Sequence, residues 1–587
     1  MKGKRLTIIS RRLVILVAGL LGCGAPVEGA GLQADMVVVN GNVITVEVDQ
    51  PRVEAFAVKS GRFLAAGSTR EIVPFAGDDT VVLDAKGKTV VPGFIDAHMH
   101  PDMIFPYKSI HHKIDLGPKS VATMEELIEA LRKKAQVTPK GNWVRGQHYQ
   151  DTKLGRHPTR WDLDKASMEH PIFIMHSSEH VAVVNSKALE LAGVTEDSKA
   201  PPGGAFDKDH DGKLTGVCRE GAMNRILRGE TLLPPSENEE KELAAHAVPT
   251  ITPPSRPEQV EALLLCFDNF LSKGITSVAD AAASPSKLQL YQDALEQGLS
   301  VRVNLMMVNS CLPQLKELKL RTGFGSDRLK IGPIKIFHGN STSGYTCWLS
   351  EPYDMLNPQT GKKDYYGIPP GRSQAELDEL VFSAHEAGFQ CAIHANGDRE
   401  IAMVLDAYEK ALQRLPRKDH RHRIEHCSVP TPELLERIKK LGVVLALHSY
   451  IYEHGDKMEV YGPKRWGMMH PNGTALKMGI PVAGNSDYPV SAADPLLRIQ
   501  SMVTRKTAEG EVYGPEQKIS VDEAIRVWTL GGAYAAFEED IKGSIKVGKL
   551  ADFVILSRDP TKVEPEKIKD IQVEKTVVGG KIKFERS

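Results

Sequence analysis

The 587-residue sequence has no Cys-x-x-Cys pair, and its seven cysteines stand far apart. That spacing excludes a thiolate zinc site and argues against a disulfide framework, so Cys218, Cys266, Cys311, Cys347, Cys391 and Cys427 are expected to be buried single thiols. Charge of one sign is lacking too: 74 basic residues oppose 75 acidic ones, for a formal net charge of -1. Nothing in that balance points to nucleic acid or an anionic surface as the main partner. There is no internal repeat and no low-complexity tract. Hydrophobic residues at 41% and charged residues at 25% are ordinary for a soluble globular chain. The length suits a large barrel with an accessory domain.

The apolar stretch from Leu13 to Leu21 is too short to span a bilayer, and Lys2, Lys4, Arg5, Arg11 and Arg12 precede it. Residues 1–30 are therefore expected to be a targeting segment. Ser10-Arg11-Arg12-Leu13 resembles a twin-arginine export signal, and Leu20-Leu21-Gly22-Cys23 resembles a bacterial lipobox. The expected location is the bacterial periplasm, either free after cleavage near Gly29 or Ala30 or anchored to the membrane through a lipid on Cys23.

What is present is a rhythm of strands and helices. Residues 31–92 and 538–587 both show short strands and turns, and neither piece is long enough to bury a sandwich core alone. The two ends are expected to pair into one composite β-sandwich beside a central domain at 93–537. There the pattern alternates strand and helix, clearest from Ser373 to Asp487, where Ser373-Gln374-Ala375-Glu376 is a capping box and Gly388 a stop. One following helix is expected to bury Ile401, Leu405, Tyr408, Leu412 and Leu415. Eight strands can be counted, beginning at Phe94, Ile275, Val301, Ile331, Phe389, the run ending at His426, Val443 and Ile480. Eight closes a (β/α)8 TIM-like barrel, an α/β fold, and the count makes 101–257 a large insertion after strand one, placed over the catalytic mouth.

The chemistry begins at Val91-Pro92-Gly93-Phe94-Ile95-Asp96-Ala97-His98-Met99-His100. Side chains two apart on a strand share a face, so His98 and His100 can present imidazole to one divalent cation. Further ligand-type residues end later strands: His394, His426 and Asp487. Lys335 lies in the apolar run Ile334-Lys335-Ile336-Phe337. Burial there favours a neutral amine, which can capture CO2 as a carbamate and so become a two-oxygen metal ligand. Alternatively Lys335 snorkels out or pairs with a carboxylate. Each residue has an ordinary alternative: a hydrogen-bonded wall histidine, or a helix-capping aspartate.

These segments, with His180-Val181-Ala182-Val183-Val184-Asn185, Ile393-His394-Ala395-Asn396-Gly397-Asp398, Arg423-Ile424-Glu425-His426 and Gly484-Asn485-Ser486-Asp487, resemble the amidohydrolase superfamily, more closely its family 3. The resemblance covers nearly the whole chain. It implies that His98 and His100 bind the more buried metal, a carboxylated Lys335 bridges, His394 and His426 bind a second metal, and Asp487 touches the first metal and acts as base. One ion or two remain open; the donors suit zinc but tolerate manganese, cobalt or iron. His180 is a candidate substrate contact, as is His338, which stands in a run that departs from the family pattern. Arg423 and Glu425 alternate with His426, so they are expected to pair behind the barrel wall, facing away from the metal. Asp280, His448 and the aromatic group Tyr450, Tyr452, Tyr461 and Trp466 lie at or beyond strand ends, where they could shape substrate selectivity; they are read as packing.

The expected activity is hydrolysis of a non-peptide carbon-nitrogen bond in a small molecule by metal-activated hydroxide, with Asp487 as base and then acid. The same centre could hydrolyse an ester, lactone or phosphotriester, or the chain could be an exported metal-binding protein without turnover. An oligomer is compatible with the sequence.

Overall fold

The computed structural model describes residues 33–101, 113–228, 249 and 254–587. The expected leader, with Cys23, lies outside them. Eight parallel strands form one sheet in chain order: Phe94–Met99, Ile275–Ala283, Arg302–Val308, Leu329–Phe337, Cys391–Ala395, Arg423–His426, Val444–His448 and Val482–Asn485. These are the eight strands read from the sequence, with ends shifted by a few residues. At the seam between strands eight and one, the Asp487 N–H donates to the His98 carbonyl (3.0 Å) and the His100 N–H to the Tyr488 carbonyl (2.7 Å). The sheet thus curls into a nearly closed (β/α)8 barrel, and its strand ends converge on one rim.

Local chemistry sets the crossover helices. The Ser373 hydroxyl accepts from the Glu376 N–H while Glu376 reaches back, opening the helix Gln374–Glu386. Thr431 caps Pro432–Leu441, and Gly442, at φ +69°, ends it where a side chain would be strained. The helix Asp398–Arg414 buries Ile401, Leu405 and Tyr408 as expected, but continues through Val404, Ala407 and Ala411. Leu412 is only half-buried and Leu415 lies past the helix end, exposed. Pro416 forces the residue before it, Leu415, out of helical geometry, so that side chain leaves the buried face.

Strands from both chain ends make the accessory sandwich. Phe553–Leu556 pairs antiparallel with Thr89–Pro92 in a six-stranded sheet, and a four-stranded sheet containing Met36–Val39 and Ala55–Lys59 packs against it. Phe56 from one sheet meets Phe553 from the other edge-on at 4.9 Å between ring centroids, so the core closes only when both ends are present. The insertion after strand one carries its own six-stranded sheet, including Val144–Tyr149 and Ile172–His176. Its strand Leu214–Glu220 and the residues preceding Val181–Val184 reach toward the barrel rim. All six described cysteines are free and buried.

Candidate metal centre

Strand one is buried along its length, and alternation puts Asp96 and His98 on the interior face. His98 is fixed by a partner from across the barrel: its Nδ1–H donates to Glu425, and Glu425 is gripped by Arg423 through Nε and Nη2, each at 2.8 Å. Arg423 also donates to the Ala97 carbonyl (2.8 Å). This corrects the expectation for Glu425. It does pair with Arg423, but inside the barrel and beneath His98. The inference of an outward face assumed that His426 keeps strand alternation, whereas His426 sits at φ +70°, where the alternation is broken.

With Nδ1 donating, His98 Nε2 is left free and points at the centre. It lies 3.2 Å from Lys335 Nζ and 3.4 Å from Asp487 Oδ1. His100 Nε2 is also 3.4 Å from Oδ1, and His426 Nε2 is 3.9 Å from Oδ2. Donor atoms of His98, His426 and Asp487 all fall within 4.8 Å of one another, all three residues buried. His394 stands one ring away, 4.7 Å from His426 between centroids, with Nε2 3.1 Å from the Asn340 carbonyl and from the Asn396 amide. Of the six expected ligands, His98, His426 and Asp487 share one point, His100 reaches Asp487, Lys335 reaches His98, and His394 adjoins His426.

Electrostatics suit cation capture. Burial, with the neighbouring cations, holds His98, His394 and His426 well below the usual imidazole range, so they stand neutral with lone pairs available. Burial alone would raise the Asp487 carboxyl, but the imidazoles of His426, His100 and His448 hold it well below the usual carboxylate range. Burial brings the Lys335 ammonium down to about 8, although Glu425 and Asp487 pull the other way. Both ring nitrogens of His426 are buried without a protein partner. A divalent ion is the group that satisfies such nitrogens beside a carboxylate, so the donor set fits a metal.

Four further groups in this region escaped the sequence reading. His448, taken as packing, places Nε2 3.8 Å from Asp487 Oδ2 and 3.2 Å from the Ser486 carbonyl, and its ring lies 4.9 Å from His426. Asp96 Oδ1 accepts from the backbone of His98 (3.3 Å) and of Ser486 (3.2 Å), fastening strand one to strand eight; burial pushes its carboxyl up to about 7. Glu220 receives the His180 Nδ1–H at 2.7 Å. Glu400 accepts four backbone N–H groups, from Asn340, Trp348, Asn396 and Gly397, at 2.8–3.0 Å. Sequence signals existed for His448, which ends strand seven, and for Glu400, as the N3 carboxylate of a helix start.

The cluster opens into a cavity lined also by Ser178, His180, Ser341, Thr342 and Ser343. His180 faces it, its ring 5.3 Å from that of His394. His338 is absent from that lining. It is buried with neither ring nitrogen bonded, and burial beside the Arg372 guanidinium brings it down to about 3. Asp280, read as packing, is bound by Lys287 Nζ (3.1 Å) and the Tyr291 hydroxyl (2.8 Å).

The profile of the Amidohydrolase family matches residues 81–584. The chain is similar to an N-substituted formamide deformylase from Arthrobacter pascens, 29% identical over 94% of this chain and 99% of the relative. Among solved structures it is similar to an uncharacterized metal-dependent hydrolase from Pyrococcus furiosus (TM-score 0.65, 27% identity, 90% of this chain and 100% of the other). A second, from Pyrococcus horikoshii OT3, has a TM-score of 0.67 at 26% identity and covers 90% and 99%.

Proposed function

Because the chain belongs to the amidohydrolase family, we propose that it hydrolyses a non-peptide carbon-nitrogen bond, an amide, in a small molecule. The observation that carries this reading is the buried meeting of His98, His426 and Asp487, with His100 and Lys335 against them. The likeness to a formamide deformylase supports the choice of bond. His98, His100 and Asp487 would hold one divalent ion, His394 and His426 a second, and Lys335, as its carbamate, would lie between; zinc is the proposed metal. When bound, such ions supply a water of lowered pKa and polarise the scissile carbonyl.

The chain's own residues do the rest. Glu425 and Arg423 hold His98 in the tautomer that leaves Nε2 for ligation. Asp487, kept ionised by three imidazoles, takes the proton of the attacking water at a carboxylate oxygen and passes it to the departing nitrogen, serving as base and then acid. The domain borders read from the sequence, and an exported location with or without a lipid on Cys23, belong to the same proposal.

The test is elemental analysis of purified protein joined to a hydrolysis screen. N-formyl, N-acyl and cyclic amides are compared with esters, lactones and phosphotriesters. Bound zinc with amide turnover is expected. Metal-free protein, or turnover confined to the oxygen esters, would overturn the reading.

A further inference from the structure

The cavity beside the metal centre has an unusual wall. Besides the histidines, Asn396 and Asp487, it is built from Ser178, Ser341, Thr342 and Ser343, with Tyr450 and Val490 completing it. Most small-molecule pockets are apolar with a few placed polar groups, so a run of hydroxyls calls for an account.

Two of those side chains are occupied in holding the wall together. The Ser178 hydroxyl meets His176 Nδ1 (2.8 Å) and accepts from the His180 N–H (3.2 Å); the Ser341 hydroxyl accepts from the Gly344 N–H (2.9 Å). Thr342 differs. It is 5% exposed and lines the cavity, and its buried Oγ1 meets the hydroxyl of Tyr450 on the same wall while making no other hydrogen bond to the protein. Its backbone cannot swing away to find a further partner, because the Thr342 carbonyl accepts from the Tyr461 hydroxyl (2.7 Å) and from the Tyr345 N–H (3.2 Å). The adjoining turn is pinned as well: Thr346 Oγ1 accepts from the Ser341 N–H at 3.0 Å and donates to Glu220. Glu220 in turn holds Nδ1 of His180, leaving His180 Nε2 as the ring nitrogen open to the cavity.

A rigid, buried hydroxyl carries one donor and two acceptor positions, so one protein contact leaves capacity that a ligand can complete, and a site of that kind discriminates against a ligand lacking the matching group. We propose that Thr342 and His180 form a polar recognition wall that selects amides carrying a hydroxyl or carboxylate oxygen on one arm over their apolar isosteres. This substrate class rests on the hydrolase reading above. The wall itself, as a binding feature, does not.

Two isosteric pairs of formamides test it: N-formylethanolamine against N-formylpropylamine, and N-formylglycine against N-formylisobutylamine. Each is measured by turnover on the metal-loaded protein and by calorimetric titration of its Asp487→Asn variant. The oxygen-bearing member of at least one pair is expected to be preferred by about tenfold to a hundredfold; which pair shows the preference tells hydroxyl from carboxylate. Thr342→Val collapses the ratio, whereas Thr342→Ser, which keeps the hydroxyl, retains it. Thermal melting of both variants shows that the fold is kept. Equal treatment of both members, preference for the apolar member, no detectable binding of any of the four, or a ratio unmoved by Thr342→Val each overturns the wall. Absence of all turnover with the affinity preference intact would sink the hydrolase reading and leave the wall standing.

Discussion

Lys335 shows how a misfit side chain becomes a candidate ligand. An ammonium fully buried 3.2 Å from His98 Nε2 is expensive, and burial has brought it down to about 8, so a share of neutral amine is available near neutral pH. Carbamate formation would turn that cation into an anion between two cations. Protein stripped of metal and kept free of carbon dioxide is therefore expected to take up zinc poorly until bicarbonate is added, as read by bound metal after gel filtration. Lys335→Gln should show no bicarbonate response; an equal response in both proteins would refute the carbamate. Glu425 acts one bond further out. Glu425→Gln keeps the shape but weakens the grip on His98 Nδ1, and metal affinity is expected to fall about 10–100-fold in competition with a chelator.

Most candidate ligands were legible at this scale because each stands at the end of an apolar strand, a position that periodicity locates without coordinates, and His448 ends strand seven in the same way. Glu425 was not. Its part depends on which side chain reaches across the barrel interior, and the positive φ at His426 breaks the alternation that assigns faces. Glu220 and His180 meet only because two insertion strands pair, and no local pattern encodes that contact.

Elements are held by groups of a different kind. The Glu400 carboxylate gathers the backbone after strand four and the start of the helix after strand five, with four N–H groups aimed at two oxygens. In Glu400→Gln an amide NH2 replaces one acceptor and faces buried donors. The loss expected is about 1–3 kcal/mol, measured by denaturant unfolding. An unchanged midpoint would show the loops to be held elsewhere.

Behind the barrel, three buried histidines are fixed as neutral tautomers. His422 Nδ1 accepts from the Cys391 N–H (3.0 Å), so its Nε2–H donates to His385 Nδ1 (2.9 Å), and His385 Nε2–H donates to the Leu415 carbonyl (2.7 Å). His420 Nδ1 accepts from the His422 N–H (2.9 Å) and its Nε2–H donates to the Leu441 carbonyl (2.8 Å). Burial places all three below the usual imidazole value. The unfolded chain then binds more protons than the folded one as pH falls below about 6.5, so stability is full above that pH and declines beneath it. Each group contributes up to about 1.4 kcal/mol per pH unit. His420→Asn, whose amide oxygen can still accept from the His422 N–H, is expected to give a shallower decline in urea midpoint between pH 7.5 and 5.5. An identical slope in both proteins counts against the relay.

At the scale of the whole molecule, the barrel and the sandwich are joined by charge as well as by shared strands. Arg302, at the start of strand three, meets Asp552 through Nε (2.7 Å) and Nη2 (3.0 Å), and Asp327 through Nη1 (2.9 Å). Arg302 and Asp552 are both buried, and Asp552 directly precedes the sandwich strand Phe553–Leu556. Removing one partner leaves a buried charge, so Asp552→Ala is expected to cost about 3–5 kcal/mol, moderated by Asp327, with a lowered thermal midpoint. A shift of under a degree would mean that the sandwich is not tied to the barrel there. The layered plan was readable because strand-rich ends flank an alternating centre. That Leu415 leaves the core was not: Pro416 marks the stop in the sequence, but the helix ends at Arg414 and the extended Leu415 turns off the face that hydrophobic spacing assigns it.

The seam where the Asp487 N–H meets the His98 carbonyl joins the earliest ligand to the latest across nearly four hundred residues of covalent chain. A ribosome that has finished strand one has made only the first portion of this centre, and every partner His98 requires is still untranslated. On the proposed ligand set the nascent polypeptide has no complete trap for an ion until that late residue is made, so loading with metal is expected late in the birth of the protein.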